Sequence, residues 1–187
     1  MRRRLRDTPG RPELDRMYAE PHRHDQWADH RVRVDVTIAL ARHMVERGGT
    51  VADLSCGDAT IARALAVSHD ARLFLGDYAP GYEFTGPVED TIEKLPEQVG
   101  LFICSETIEH VADPDALLAA IRARAANLIL STPAWETDSG NPEHIWGWDP
   151  EDIEEMLDAA GFTPLTFTQL DLRPAGFVYC YQIWGCR

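Results

Sequence analysis

Residues Val51–Ala66, VADLSCGDATIARALA, decide the fold of this chain. Val51, Ala52 and Leu54 form a short apolar strand, and Ser55, Cys56, Gly57, Asp58 and Ala59 let the backbone turn sharply into a helix that carries Ile61, Leu65 and Ala66 inward. Ligand atoms lying in such a turn meet main-chain N–H groups, with the acid Asp53 just before it. That is the build of a nucleotide-type cofactor site. The three glycines of a dinucleotide-binding loop, spaced G-x-G-x-x-G, are absent. Gly57 keeps the full freedom to adopt a positive φ, while Ser55 and Ala59 are the smallest alternatives to glycine at their positions.

Working outward, the alternation of elements points to a mostly parallel sheet. Residues from about Asp29 to Glu46 place Val32, Val36, Leu40, Met44 and Val45 on one helical face, and Gly48-Gly49 ends that helix. Strand-like runs follow at Ala71 to Gly76, Val99 to Cys104 and Leu128 to Ser131, with a helix from about Pro114 to Ala125 before the last. After Pro150 an amphipathic helix with Ile153, Met156 and Leu157 is closed by Gly161. Two β-rich runs, Leu165 to Leu170 and Phe177 to Trp184, then sit close enough in sequence to pair antiparallel. Only eleven residues separate Asp77 from Glu89, and they include Pro80, Gly81, Gly86 and Pro87. A crossover helix of normal length does not fit there, so one side of the sheet is expected to be thinly covered.

The whole chain sets bounds on function. At 187 residues it makes one domain with a real core. No apolar run reaches the ~18 residues that span a bilayer, and MRRRLRDTPGRPE has no apolar stretch after its arginines, so the reading is a cytoplasmic protein with no membrane contact. Cys56, Cys104, Cys180 and Cys186 form no C-x-x-C pair and suit reduced core thiols rather than a zinc site. A net charge of −13 argues against a broad grip on nucleic acid. Arg2, Arg3, Arg4, Arg6 and Arg11 form a basic arm that Pro9, Gly10 and Pro12 interrupt, and the arm reads as a solvated tail.

Asp53-Leu54-Ser55-Cys56-Gly57-Asp58-Ala59 resembles motif I of class I S-adenosylmethionine-dependent methyltransferases (type 11/12-like), in which an acid and an apolar residue precede G-x-G-x-G. The resemblance covers roughly Val32 to Trp184. It implies a Rossmann-like α/β fold with a mostly parallel seven-stranded sheet, a C-terminal antiparallel hairpin, and here a shortened or missing crossover helix after the second strand. It divides the chain into an N-terminal arm and cap, 1–28, and a methyltransferase domain, 29–187. The cofactor implied is S-adenosylmethionine, bound by Asp53, Ser55, Cys56, Gly57, Asp77, Tyr78, Glu89, Asp90, Ser105 and Glu106. Asp77, ending the strand RLFLGD, matches the acid that accepts from both ribose hydroxyls. Glu89 or Asp90 matches the acid near the adenine amino group.

The stretch Cys104-Ser105-Glu106-Thr107-Ile108-Glu109-His110-Val111 stands at the C-terminal end of the fourth strand, the edge at which open α/β sheets bind ligands. Its E-x-x-E-H pattern resembles both ubiquinone-biosynthesis O-methyltransferases and small-RNA 3′-terminal 2′-O-methyltransferases. In the latter the acids and histidine hold a divalent metal, and His144 in NPEHIWGWDPEDI matches a fourth ligand. Glu106, Glu109 and His110 would share one helical turn, and with His144 they are expected to converge in one small site. The catalytic candidates are therefore His110, His144 and Glu106, and the metal candidates Glu106, Glu109, His110 and His144. Tyr18, His22, His24 and Trp27, with Trp135, Trp146 and Trp148, are placed around the acceptor pocket, Tyr18, Trp27, Trp135 and Trp146 as substrate contacts.

The function implied is transfer of a methyl group to an oxygen or nitrogen of a small-molecule or terminal acceptor, with or without a divalent metal ion. A non-catalytic S-adenosylmethionine-fold scaffold, or a 3′-terminal RNA methyltransferase, stands as the alternative. A second copy of the chain is the protein partner that the thinly covered sheet edge would suit.

Overall fold

The computed structural model describes residues 1–20, 26–96, 98–137 and 140–187; His22 and His24 lie outside the described residues. The chain opens with a two-residue strand β1 (Arg3–Arg4) and a short helix α1 (Arg11–Met17), before α2 (Ala28–Ala41). The main succession is then β2 (Thr50–Asp53), α3 (Thr60–His69), β3 (Arg72–Asp77), β4 (Phe84–Thr85), α4 (Val88–Thr91) and β5 (Val99–Ser105). It continues with α5 (Pro114–Arg124), β6 (Ala125–Ala134), β7 (Trp146–Gly147), α6 (Pro150–Ala159), β8 (Pro164–Asp171) and β9 (Cys180–Cys186).

Seven strands make one sheet in the order β4-β3-β2-β5-β6-β9-β8. The first five are parallel, and β9 runs antiparallel to both β6 and β8, as the short link between the last two β-rich runs requires. Side chains alternate across the pleat. Val51, Leu101, Ile103, Ile129 and Ile183 face α2 and α3, while Ala52, Phe102, Cys104, Leu128, Leu130 and Trp184 face α5 and α6. Two apolar layers thus clamp the sheet, and its C-terminal edge is left to the loops.

The structure corrects the reading of the first helix. It ends at Ala41, and its buried residues are Asp29, Arg33, Val34, Thr37, Ile38 and Ala41; of the expected apolar face Val45 is buried, Val36, Leu40 and Met44 pack on the same core while partly covered, and Val32 is 42% exposed. The buried stripe lies one residue away from the apolar one because this helix carries polar groups to the strand ends. Arg33 is one of them.

The expected gap after the second main strand holds no full crossover helix. Instead β4, the single turn α4 and the 3₁₀ turn Ile92–Lys94 bury Phe84, Val88, Ile92 and Leu95 against Phe74. The exposed large apolar side chains among the described residues lie elsewhere, with Leu165 and Phe167 on edge strand β8.

The basic arm is docked, not a solvated tail. β1 pairs antiparallel with β7, and Leu5 N–H donates to the Ile145 carbonyl at 2.8 Å. Arg3 clasps Asp149, Arg2 pairs with Asp115, and Arg2 and Arg4 lie over the Trp146 ring at 4.4 and 5.2 Å. Asp149 also forms a reciprocal capping box with Asp152 at the start of α6. A basic arm on a strongly acidic body finds its partners by charge, which composition of the arm alone did not reveal.

Candidate active site

The turn after β2 is built as its residues require. Gly57 adopts φ 52, Cys56 N–H donates to the Gly76 carbonyl at 2.9 Å, and Gly57 N–H donates to Asp77 Oδ2 at 2.8 Å. Ala59 also takes the left-handed region, φ 59, at a steric cost of about 1 kcal/mol, which closes the turn into α3. Asp77 Oδ1 accepts from Ala79 N–H at 3.0 Å. Each oxygen of that carboxylate thus takes one main-chain donor, and its other lone pairs remain for a ligand.

A cavity of about 760 Å³ opens at this C-terminal edge of the sheet, within the range of ~300–1,000 Å³ typical of small-ligand sites. Leu54, Ser55, Gly57, Asp77, Tyr78 and Glu89 line one end, and Glu106 and Thr107 its floor. Trp27, His30, His110, His144 and Tyr179 line the other, and Tyr18, its ring 5.3 Å from that of Tyr78, stands between the two.

Several expected contacts are not brought there. Asp53 and Cys56 sit behind the turn beside Ser105 and Arg33, away from the large cavity. Asp53 accepts a backbone hydrogen bond from Ser55, and burial pushes its carboxyl up to about 8, so it holds the turn from behind. Asp90 points to solvent near Arg11. Trp135 lies under Arg173, and Trp146 donates its Nε1–H to the Val111 carbonyl at 2.9 Å while its face receives the basic arm; neither lines the cavity. Long loop aromatics pin segments to the body here, and Trp148 is fully buried with its Nε1–H on Thr132 Oγ1. Ser105 also faces inward, with its Oγ 2.8 Å from that of Ser131.

Glu106 departs most from expectation. It takes φ 51 at the end of β5, and the helical turn begins only at Ile108, so Glu106 does not share a helix face with Glu109 and His110. Its Oε1 accepts from Ser131 Oγ at 3.0 Å and stands 3.8 Å from Arg33 Nε. Arg33, 1% exposed, also donates to Ser105 Oγ at 2.5 Å. Sequence reading missed Arg33 because its partners come from two strands more than seventy residues away.

Glu109, His110 and His144 do converge: one ligand atom from each lies within 4.8 Å of the others. Glu109 is fully buried, its Oε2 accepts from Thr132 at 3.0 Å, and its Oε1 has no hydrogen-bond partner among the described residues. Burial and the nearby Glu106 charge raise its carboxyl well above the ordinary range. His110 Nδ1 lies 3.1 Å from the Glu143 carbonyl and 3.3 Å from the Tyr18 hydroxyl. His144 Nδ1 meets Glu136 Oε2 at 2.8 Å, and its Nε2 meets the Asn141 amide at 3.0 Å. Burial alone would lower the His144 imidazole, but Glu136 and the Glu109 and Glu106 charges outweigh it and the net shift is upward. His30, which sequence reading also missed, is held below its ordinary value chiefly by burial.

The rings form a continuous arc around this end. Centroids run Trp27 to His30 at 5.3 Å, His30 to Tyr181 at 5.8 Å and Tyr181 to Tyr179 at 5.7 Å. From there Tyr179 lies 5.8 Å from His144, His144 4.9 Å from His110, and His110 6.4 Å from Tyr18.

No protein-family model matches the chain, and no curated protein sequence matches it. Solved structures do. A Burkholderia thailandensis 1,6-didemethyltoxoflavin-N1-methyltransferase, with 1,6-didemethyltoxoflavin and S-adenosylhomocysteine bound, aligns over 82% of this chain and 77% of its own at TM-score 0.66 and 15% identity. An S-adenosylmethionine-dependent methyltransferase from Archaeoglobus fulgidus aligns over 87% and 96% at TM-score 0.65 and 13% identity. The cyclase SpnF aligns over 98% and 97% at TM-score 0.69 and 12% identity. The chain has the class I methyltransferase fold, a fold that a cyclase also uses.

Proposed function

We propose that this chain transfers a methyl group from S-adenosylmethionine to an oxygen or nitrogen of a small-molecule acceptor. The observation that carries the reading is one continuous cavity lined by Gly57 and Asp77 toward one end and by His110 and His144 toward the other. The residues fit the cofactor: Asp77 keeps acceptor capacity on both oxygens beside a turn that only small residues allow. When bound, the cofactor supplies an electrophilic methyl on a sulfonium. Asp77 would take the ribose hydroxyls and Glu89 would approach the adenine. Glu106, fixed by Arg33 and Ser131, borders the place where the two ends meet. Leu54 and Val88 exclude water on the cofactor side, and Trp27 and Tyr18 on the other, while His110 takes the proton that the acceptor must lose.

A metal-assisted form is the second reading, favoured by the orphaned buried Glu109 Oε1 and by the hydrogen bond that orients the His110 imidazole through Nδ1; His144 would have to release Asn141 from its Nε2 to join. Glu109, His110 and His144 would hold a divalent ion, which would lower the pKa of an acceptor hydroxyl; Glu106 is no longer in the set. Isothermal titration with S-adenosylmethionine and S-adenosylhomocysteine tests the main reading, with one site expected. Folded protein that binds neither overturns it. A chelator series on turnover separates the two forms: loss restored by added metal supports the second, and unchanged turnover removes it.

A further inference from the structure

We infer that the acceptor carries an apolar tail, which leaves the cavity along a rim made by Trp27, Phe177 and Val178. This rests on the methyl-transfer reading and names its substrate class, a compact acceptor group on a hydrocarbon extension.

Eight large apolar side chains are exposed among the described residues, and three of them line this one cavity: Trp27 at 48%, Phe177 at 37% and Val178 at 76%. Leu54, Val88 and Val111 in the same lining are buried, so the exposure is local to one part of the mouth. That part is the acceptor end. The Trp27 ring lies 5.3 Å from that of His30, and Val178 directly precedes Tyr179, whose ring lies 5.8 Å from that of His144. His30 and Tyr179 both approach Tyr181, at 5.8 and 5.7 Å, which sets the two halves of the rim on either side of one buried ring.

The core does not use these side chains. Phe177 and Val178 follow the left-handed Gly176 and precede β9, outside the paired residues of β8 and β9, and Trp27 stands just ahead of α2. None of the three joins either apolar layer of the sheet. Arg173, the charged residue nearest to the rim in sequence, is clasped by both carboxylate oxygens of Asp171 at 2.8 Å and lies over Trp135. An apolar patch continuous with a cavity marks a ligand groove. A compact polar acceptor would leave that patch in water after binding, whereas a hydrocarbon tail covers it, and covering apolar surface is favourable in proportion to its area. Exclusion of water at Trp27 then comes with the substrate itself.

The test uses 4-ethylphenol, 4-butylphenol and 4-hexylphenol, one neutral head with tails of increasing length, titrated into the protein alone and saturated with S-adenosylhomocysteine. Each two-carbon step is expected to raise affinity about fivefold, the gain of a tail covered on one side. In Val178→Asp and in Phe177→Ser the gain per step should fall to about twofold or less, while the melting temperature stays close to that of the parent because both positions are exposed. Leu165→Asp, which puts the same charge on an exposed apolar residue outside the cavity, should keep the parent's gain. Equal affinity for the three phenols, a gain that survives both rim variants, or one that Leu165→Asp removes as well overturns the inference. So does a dimer in sedimentation that Val178→Asp dissolves and 4-hexylphenol does not, since a second copy would then cover the rim. The arm without S-adenosylhomocysteine keeps the two claims apart: absence of cofactor binding overturns the methyl-transfer reading, and the dependence on tail length is still read on the protein alone.

Discussion

At the scale of single residues, the cofactor end depends on Gly57 and Asp77. Valine at position 57 would place a β-branched side chain at φ 52 and push atoms into the cavity. Gly57→Val should therefore abolish binding of S-adenosylhomocysteine in a titration; retained affinity would remove this turn from the site. Asp77→Ala should cost ~1–3 kcal/mol of cofactor affinity through lost charge-assisted hydrogen bonds. Unchanged affinity would mean that the carboxylate serves only Gly57 and Ala79. Asp53 has a different signature. Its carboxyl rises from 3.8 to about 8 on burial, so the stability it contributes is whole below pH 3.8 and is lost as pH rises through about 8. Glu109 shifts in the same direction. Urea midpoints of Asp53→Asn should gain on the parent protein as pH rises across that window, whereas parallel profiles would show that Asp53 is not buried as a neutral acid.

At the scale of elements, the arm and the β7 loop act as one unit. Gly147 lies so close to the Glu136 carbonyl that a Cβ would collide with it, and Glu136 is the partner of His144 Nδ1. The strand that anchors the arm thus also sets the imidazole. Trp146→Ala, which removes the platform for Arg2 and Arg4, should cost about 3 kcal/mol and make the arm accessible to trypsin at Arg4 and Arg6 while the rest of the chain stays resistant. Equal cleavage rates would show that the arm is held by other contacts. The strands and helices themselves were legible because periodicity and turn residues are local: the stretch from Val51 to Ala66 contains its own strand, turn and helix. The arm was not, since Asp149 and Asp115 are distant in sequence. Nor was the inward face of α2, where Arg33 and Thr37 are buried for polar partners that an apolar count passes over.

At the scale of the whole molecule, a parallel sheet delivers the ends of β2, β3 and β5 to one edge, and that topology alone brings Gly57, Asp77 and Glu106 together. Asp77, Glu89, Tyr18 and Trp27 were readable as cavity residues, because strand ends and the segment before α2 have fixed places in such a fold. Glu106 lines the cavity as expected but stands outside the Glu109, His110 and His144 group, since its left-handed backbone turns the side chain toward Arg33 before the helical turn begins. Trp135 and Trp146 were misplaced because a loop's composition does not say which way its rings point. In the proposed function, cofactor and acceptor occupy the two ends of one cavity, and a crystal structure with S-adenosylhomocysteine checks it. Expected are the ribose hydroxyls on Asp77, the ligand's backbone contacts at Gly57, and the sulfur turned toward Thr107 and His110; a ligand bound outside this cavity, or with its sulfur facing away from His110, overturns the proposal.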